Sequence, residues 1–184
     1  YRLSIHLTIA IIIISLIFWL IKNIISNKNK VFFHFSYDNL PFQLLILFIF
    51  LQIILGAFVS GLDAGKIYQT WPLMGNNFVP NDLFLVDSNK IFEFNNHSLV
   101  QFYHRNLAYL IILYVIFLSI FIYKNKFLKL YKPLKLLIFF LFFQATLGIF
   151  TLISDLNIYL ALTHQITSVL LVFSALNLYY FRVK

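Results

Sequence analysis

Apolar residues run almost unbroken through five stretches of the chain, about Leu3–Lys22, Pro41–Leu62, Leu99–Tyr123, Leu134–Ile153 and Ile158–Phe181. Each is near the roughly 20 residues that a helix needs to cross the hydrocarbon core of a bilayer. None shows the narrow stripe of a surface helix, and a helix that is apolar all round is buried in protein or in lipid. Polar residues gather between the runs. Pro41 suits a first helical turn, where its missing N–H costs nothing, and Ser98 with Gln101 three residues on predicts a capping box for the third helix. The last two runs are separated only by Ser154–Asn157, a turn that makes them an antiparallel hairpin. The predicted fold class is all-α, a polytopic membrane helix bundle of about five transmembrane helices.

Composition supports the same class. Hydrophobic residues make up 61% of the 184 and charged residues 11%, too few charges to cover a water-facing surface or to keep the chain disordered. Cys is absent, which removes disulfides, zinc–thiolate sites, iron–sulfur clusters and thiol nucleophiles.

The +8 net charge is uneven along the chain. Lys22, Lys28, Lys30, Lys124, Lys126, Lys129, Lys132, Lys135, Arg182 and Lys184 fall on one side of a five-span topology. Arg2, Lys66, Lys90 and Arg105 fall on the other, together with Asp63, Asp82, Asp87, Glu93 and Asp155. The basic side is therefore expected to face the cytoplasm or matrix, and topology accounts for the lysines without nucleic acid.

Residues 1–30 then read as one membrane helix with its tail, 31–40 as an inner interfacial linker, and 41–184 as a four-helix bundle with an outer loop at 63–98. Phe78, Phe84 and Leu85 suggest that this loop lies over the mouth of the bundle. The chain opens on Tyr1 inside its first apolar run, so a further N-terminal part is expected.

Two spans share a pattern. Gln52-Ile-Ile-Leu-Gly56-Ala-Phe58 and Gln144-Ala-Thr-Leu-Gly148-Ile-Phe150 both read Q-x-x-L-G-x-F, consistent with duplicated hairpins or with biased composition. The second helix of each hairpin carries a His near its outer start, His104 and His164, and His6 stands at a similar depth in the first span. An ionisable residue inside a span is costly and marks a candidate functional site. The alternative is an imidazole that only bridges helices.

Two neutral imidazoles can take both axial positions of a haem iron, and helix bundles build such sites from facing helices. Residues three and four away share the histidine's face. For His104 these are Val100, Gln101, Leu107 and Ala108, and for His164 they are Leu160, Ala161, Thr167 and Ser168. Small side chains leave room for a porphyrin, and Gln101 or Thr167 is placed to hold an imidazole or a propionate. Arg105 and Arg2 sit where propionates would reach water, or serve as interfacial anchors. The last four helices are thus expected to form a haem-binding four-helix bundle. Zinc or copper has a poor ligand set here, and His34 and His97 are read as interfacial loop residues outside the site.

Several stretches resemble haem A synthase. They are Arg2-Leu-Ser-Ile-His6-Leu, Leu55-Gly-Ala-Phe-Val-Ser-Gly-Leu-Asp-Ala-Gly65, Thr70-Trp-Pro-Leu-Met74, Gln101-Phe-Tyr-His104-Arg105, Gln144-Ala-Thr-Leu-Gly148 and His164-Gln165. The absence of Cys is similar to the alphaproteobacterial and mitochondrial branch. The resemblance implies two pseudo-symmetric four-helix halves and the successive oxidation of a ring methyl of haem O to the formyl of haem A.

By motif, His104 and His164 match the pair that holds a b-type haem, and His6 matches the second histidine of the other half, beside substrate haem. The partner histidine and a catalytic Glu belong to spans not in this chain, so no catalytic residue is assigned, and the chain alone is expected not to complete the oxidation. The implied setting is a bacterial or mitochondrial inner membrane, with the haem sites toward its outer side. Haem O, a haem O synthase and a second copy of the chain are the expected partners, beside the lipid bilayer. The rival readings are a non-catalytic membrane cytochrome b subunit that passes electrons, and an assembly protein whose histidines bridge helices.

Overall fold

A computed structural model of the chain describes residues 2–85 and 93–183, with the side chains of Phe84 and Leu85 left aside. Tyr1, Asp87, Lys90 and Lys184, used above for the chain start and the charge pattern, lie outside the described residues. Five helices are long and apolar enough to cross a membrane: α1 (Arg2–Ser26), α2 (Leu40–Gly61), α3 (His97–Lys124), α4 (Leu128–Ile153) and α5 (Ile158–Arg182). Among the described residues there is no strand; one isolated bridge pairs Met74 with Asn77.

The five spans are as predicted, and the ends differ in instructive ways. α4 starts six residues before its expected first residue and takes in Lys129, Lys132 and a buried Pro133. These residues read as loop because Pro removes a helical donor; Pro133 is the sixth residue of α4, so the helix gives up one bond, the one to the Lys129 carbonyl, and continues. The predicted capping box at Ser98 is not formed. Asn96 is the N-cap, its Oδ1 accepting from the Leu99 N–H at 3.1 Å. Pro41 does stand in the first turn of α2. Asn157 caps α5 by accepting from Tyr159 and Leu160.

Hydroxyls within the spans turn back on their own helices. Thr8, Ser15, Ser119, Thr146, Thr151 and Thr163 each donate to the carbonyl four residues earlier. A hydroxyl in lipid has no water to bond, so this local partner is what makes it tolerable.

Close packing runs α2–α3, α3–α4, α4–α5 and α5–α2, a closed ring of four helices, with α1 laid outside against α2 and α5. In such a ring α3 and α5 stand on one diagonal. One end carries the long loop, and the other carries Lys22, Lys30, the α3–α4 turn and Arg182.

The contiguous buried core occupies the lysine end. It comprises Phe42, Leu45 and Ile49 of α2, Ile111 to Ile122 of α3, Leu130 to Leu137 of α4 and Leu171 to Tyr180 of α5. Trp19 of α1 joins it, packing on Phe32, Tyr179 and Tyr180 and donating from its indole N–H to the Lys30 carbonyl at 2.8 Å. Lys30 in turn donates to the carbonyls of Tyr180 and Val183, fastening the interhelical linker to the end of α5. The lysine end is therefore a closed plug, and the loop end is built differently.

Candidate functional site

At the loop end, each hairpin repeats one arrangement. In the first, α2 offers Gln52 and, one turn later, Gly56, and the imidazole of His104 on α3 lies against them. The Gln52 amide nitrogen donates to the His104 carbonyl at 3.0 Å and lies 3.2 Å from Nδ1 and 3.4 Å from Nε2 of the ring. A Cβ on Gly56 would sit 3.1 Å from His104 Cε1. In the second hairpin, the Gln144 amide donates to the His164 carbonyl at 2.9 Å and lies 3.3 Å from Nε2. A Cβ on Gly148 would sit 3.0 Å from His164 Cε1. Carbon atoms prefer about 3.5–4.0 Å, so each glycine is a seat that only a hydrogen leaves open. The shared Q-x-x-L-G pattern is thus a device in which glutamine and glycine hold the next helix's histidine.

The two modules stand on the diagonal helices α3 and α5. His164 Nδ1 is buried with no hydrogen-bond partner. The helices bring glycines and small side chains to this depth, where the lysine end has bulk.

Sequence reasoning named the histidines but not their holders. Gln101 is buried and bonds to neither ring; its amide donates to the Tyr68 carbonyl at 2.9 Å. Arg105 donates to the carbonyls of Tyr68 (2.7 Å), Thr70 (2.8 Å) and Leu73 (3.3 Å). Both therefore anchor the loop across α3. Thr167 holds Gln144 rather than an imidazole, its hydroxyl 2.6 Å from Gln144 Oε1. The signal for Gln52 and Gln144 was already in the repeat, four residues ahead of each glycine and so on the same helical face.

The loop also joins the hairpins. Gln69 donates to Asp155 at 2.7 Å, and a Cβ on Gly65 would lie 2.9 Å from a Leu156 methyl, so the first hairpin's loop rests on the second hairpin's turn. Phe78 stacks on Tyr109 of α3. The Tyr68 hydroxyl donates to Asp82 at 2.8 Å, and burial followed by this bond raises its pKa above the usual value.

His6 and Arg2 are exposed on α1 at the same end, where Ser4 reaches the Ile54 carbonyl and Leu3 meets Gly61. Among the described contacts none joins either residue to the His104–His164 pair. His34 lies at the lysine end, its carbonyl accepting from Asn39 and Gln43, and His97 is the first residue of α3.

Residues 1–176 match the model of a family described as cytochrome oxidase assembly protein. Heme A synthase of Pelagibacter ubique is 42% identical over 177 residues, 95% of this chain and 50% of that protein. Heme A synthase of Wolbachia pipientis is 36% identical over 96% of this chain and 49% of that protein. That of Rickettsia africae is 33% identical over all of this chain and 55% of that protein.

The chain belongs to the haem A synthase family.

It spans about half the length of the curated haem A synthases it matches. No solved structure matches it. As a family member it is a multi-pass helical membrane protein. Among the described residues no three His, Cys, Asp or Glu converge as metal ligands, and a bis-imidazole haem asks for only two.

Proposed function

We propose that this chain is the haem-carrying part of a haem A synthase, with His104 and His164 as axial ligands of a b-type haem. The observation that carries the reading is the duplicated seat: two imidazoles on diagonal helices, each set against a glycine and held by a glutamine. A bound haem supplies an iron that accepts and passes on single electrons.

The chain's own residues do the rest. Gly56 and Gly148 let the histidines approach their neighbouring helices without tilting away. Gln52 and Gln144 hold the backbone of each histidine in place by donating to its carbonyl. Arg105 and Gln101 hold the 68–73 segment across the mouth, which limits water entry and keeps the local dielectric low. His6 and Arg2, on the face of α1 that this chain leaves uncovered, form one wall of a site for the substrate haem O, whose ring methyl becomes the formyl of haem A. The reading places the chain in a bacterial or mitochondrial inner membrane, with the haem sites toward the outer face, and makes haem O synthase a natural neighbour.

The test is spectroscopic. Replacing His104 or His164 with Ala should abolish the low-spin haem spectrum of the purified protein; unchanged spectra in both variants refute the ligand assignment. Haem A formation in a strain lacking its own enzyme separates this reading from an electron-passing cytochrome b subunit.

A further inference from the structure

The two histidine seats are alike in plan and unequal in bracing. Gln144 uses both ends of its amide: the nitrogen donates to the His164 carbonyl, and Oε1 takes the Thr167 hydroxyl at 2.6 Å. The Thr167 oxygen also lies 2.8 Å from the Thr163 carbonyl and 3.1 Å from that of His164, which are alternative acceptors for its single proton. Gln52 uses only one end. Its nitrogen donates to the His104 carbonyl, and its Oε1 is buried without a partner. The cause is one residue. Thr167 follows His164 by three positions, and the residue three after His104 is Leu107, which has no donor to offer.

We propose that Gln52 and Gln144 are positioning residues for the two haem ligands, and that Thr167 makes His164 the fixed ligand while the Leu107 position leaves His104 the adjustable one. This rests on the bis-histidine reading above. A buried acceptor with no donor gains nothing from its place, so rotating the Gln52 amide costs less than rotating that of Gln144, which must give up a bond at each end. A ligating histidine whose carbonyl is held by a mobile partner shifts and dissociates more readily than one whose carbonyl is held by a braced partner.

The experiment uses the protein in its membrane with Thr167→Val, Leu107→Thr and Gln52→Leu. Haem content is measured first, then the electron paramagnetic resonance g values of the oxidised haem, which report imidazole orientation, and the rate of carbon monoxide binding to the reduced haem, which requires a ligand to leave. Thr167→Val should shift the g values and speed carbon monoxide binding by roughly tenfold, the lower end for losing an outer partner of a metal ligand. Leu107→Thr, which gives Gln52 Oε1 its donor, should slow binding below that of the parent. Gln52→Leu covers the case in which Leu107→Thr fails to fold, and should speed binding.

Normal haem content with unchanged g values and rates in Thr167→Val and Gln52→Leu overturns the bracing while leaving the ligand assignment standing. A parent protein with no low-spin haem, or one whose spectrum survives His104→Ala and His164→Ala, overturns the ligand assignment itself.

Discussion

Gly148→Ala tests the seat directly. The added Cβ would lie 3.0 Å from His164 Cε1 and 3.5 Å from Nδ1. Against a preferred carbon separation of about 3.5–4.0 Å, the methyl intrudes by about 0.5–1 Å. The histidine cannot yield freely, because Gln144 holds its carbonyl and Thr167 braces Gln144. Overpacking of this kind costs about 1–3 kcal/mol, and at about 1.4 kcal/mol per factor of ten haem retention should fall roughly 5- to 150-fold. The helix itself should not weaken, since Ala is favoured over Gly by about 1 kcal/mol in a helix interior.

The expected result is therefore a fall in haem affinity with a smaller fall in the thermal stability of the haem-free protein, where the same clash is partly offset by the helix preference for Ala. Haem titration and circular dichroism in detergent measure the two sides. Gly56→Ala, at 3.1 Å from His104 Cε1, should behave alike but more mildly, because that imidazole has the looser holder. Gly61→Ala is the control, its new Cβ meeting only Leu3 at an ordinary 3.5 Å. Unchanged haem affinity in both Gly148→Ala and Gly56→Ala would refute the seat.

Arg105→Gln removes the charged donor that joins Tyr68, Thr70 and Leu73 to α3, and amide exchange over 68–74 should quicken by roughly tenfold or more as that segment opens locally. Asn96→Ala removes the cap of α3 and should lower stability by about 1 kcal/mol in thermal unfolding. Arg2→Ala should weaken retention of added haem O in the full protein and leave the low-spin spectrum intact, read by haem extraction and chromatography. The raised pKa of Tyr68 has a definite sign: its neutral hydroxyl is favoured in the folded loop, so that contribution is complete below about pH 10 and is lost as pH rises through the elevated value. Exchange in the 68–74 segment should therefore accelerate above about pH 10, and Tyr68→Phe should remove that step.

Hydropathy made the spans legible because a bilayer imposes both length and composition on a helix. The ends were less so. Lys129, Lys132 and Pro133 read as loop and are helix, since basic side chains at a membrane edge extend into water without unwinding the backbone. Asn96 was missed as a cap because Ser98 and Gln101 offered the stronger pattern, and Gln101 is drawn away by Tyr68. The histidines were legible because an ionisable group in an apolar run stands out. Their holders were partly legible: the repeat gave Gln52 and Gln144, but a pattern along one helix does not say which residue of the next helix it faces. Arg105 was assigned to a ligand's edge, and its described bonds go instead to the loop carbonyls, a preference set by how residues 64–74 fold back and invisible in local spacing.

The loop end has to satisfy two demands that oppose each other. On the proposed reading, a haem between the diagonal helices α3 and α5 would take the place of packing that stabilises a bundle, yet the histidines on either side would have to keep a fixed separation. The protein divides the work. The plug of Phe42, Leu118, Leu134 and Leu176 closes the ring at the lysine end, where nothing has to enter. At the open end the hairpins are fastened through backbone and turns rather than through core: Arg105 holds the loop to α3, and Gln69 and Gly65 hold it to Asp155 and Leu156 of the opposite hairpin. Asp155 and Leu156 both adopt left-handed backbone conformations, φ 55° and 56°, which non-glycine residues take only when the surrounding structure requires it. That turn is strained at the point where the loop seizes it, and the contact ties the two hairpins together at the end that carries His104 and His164.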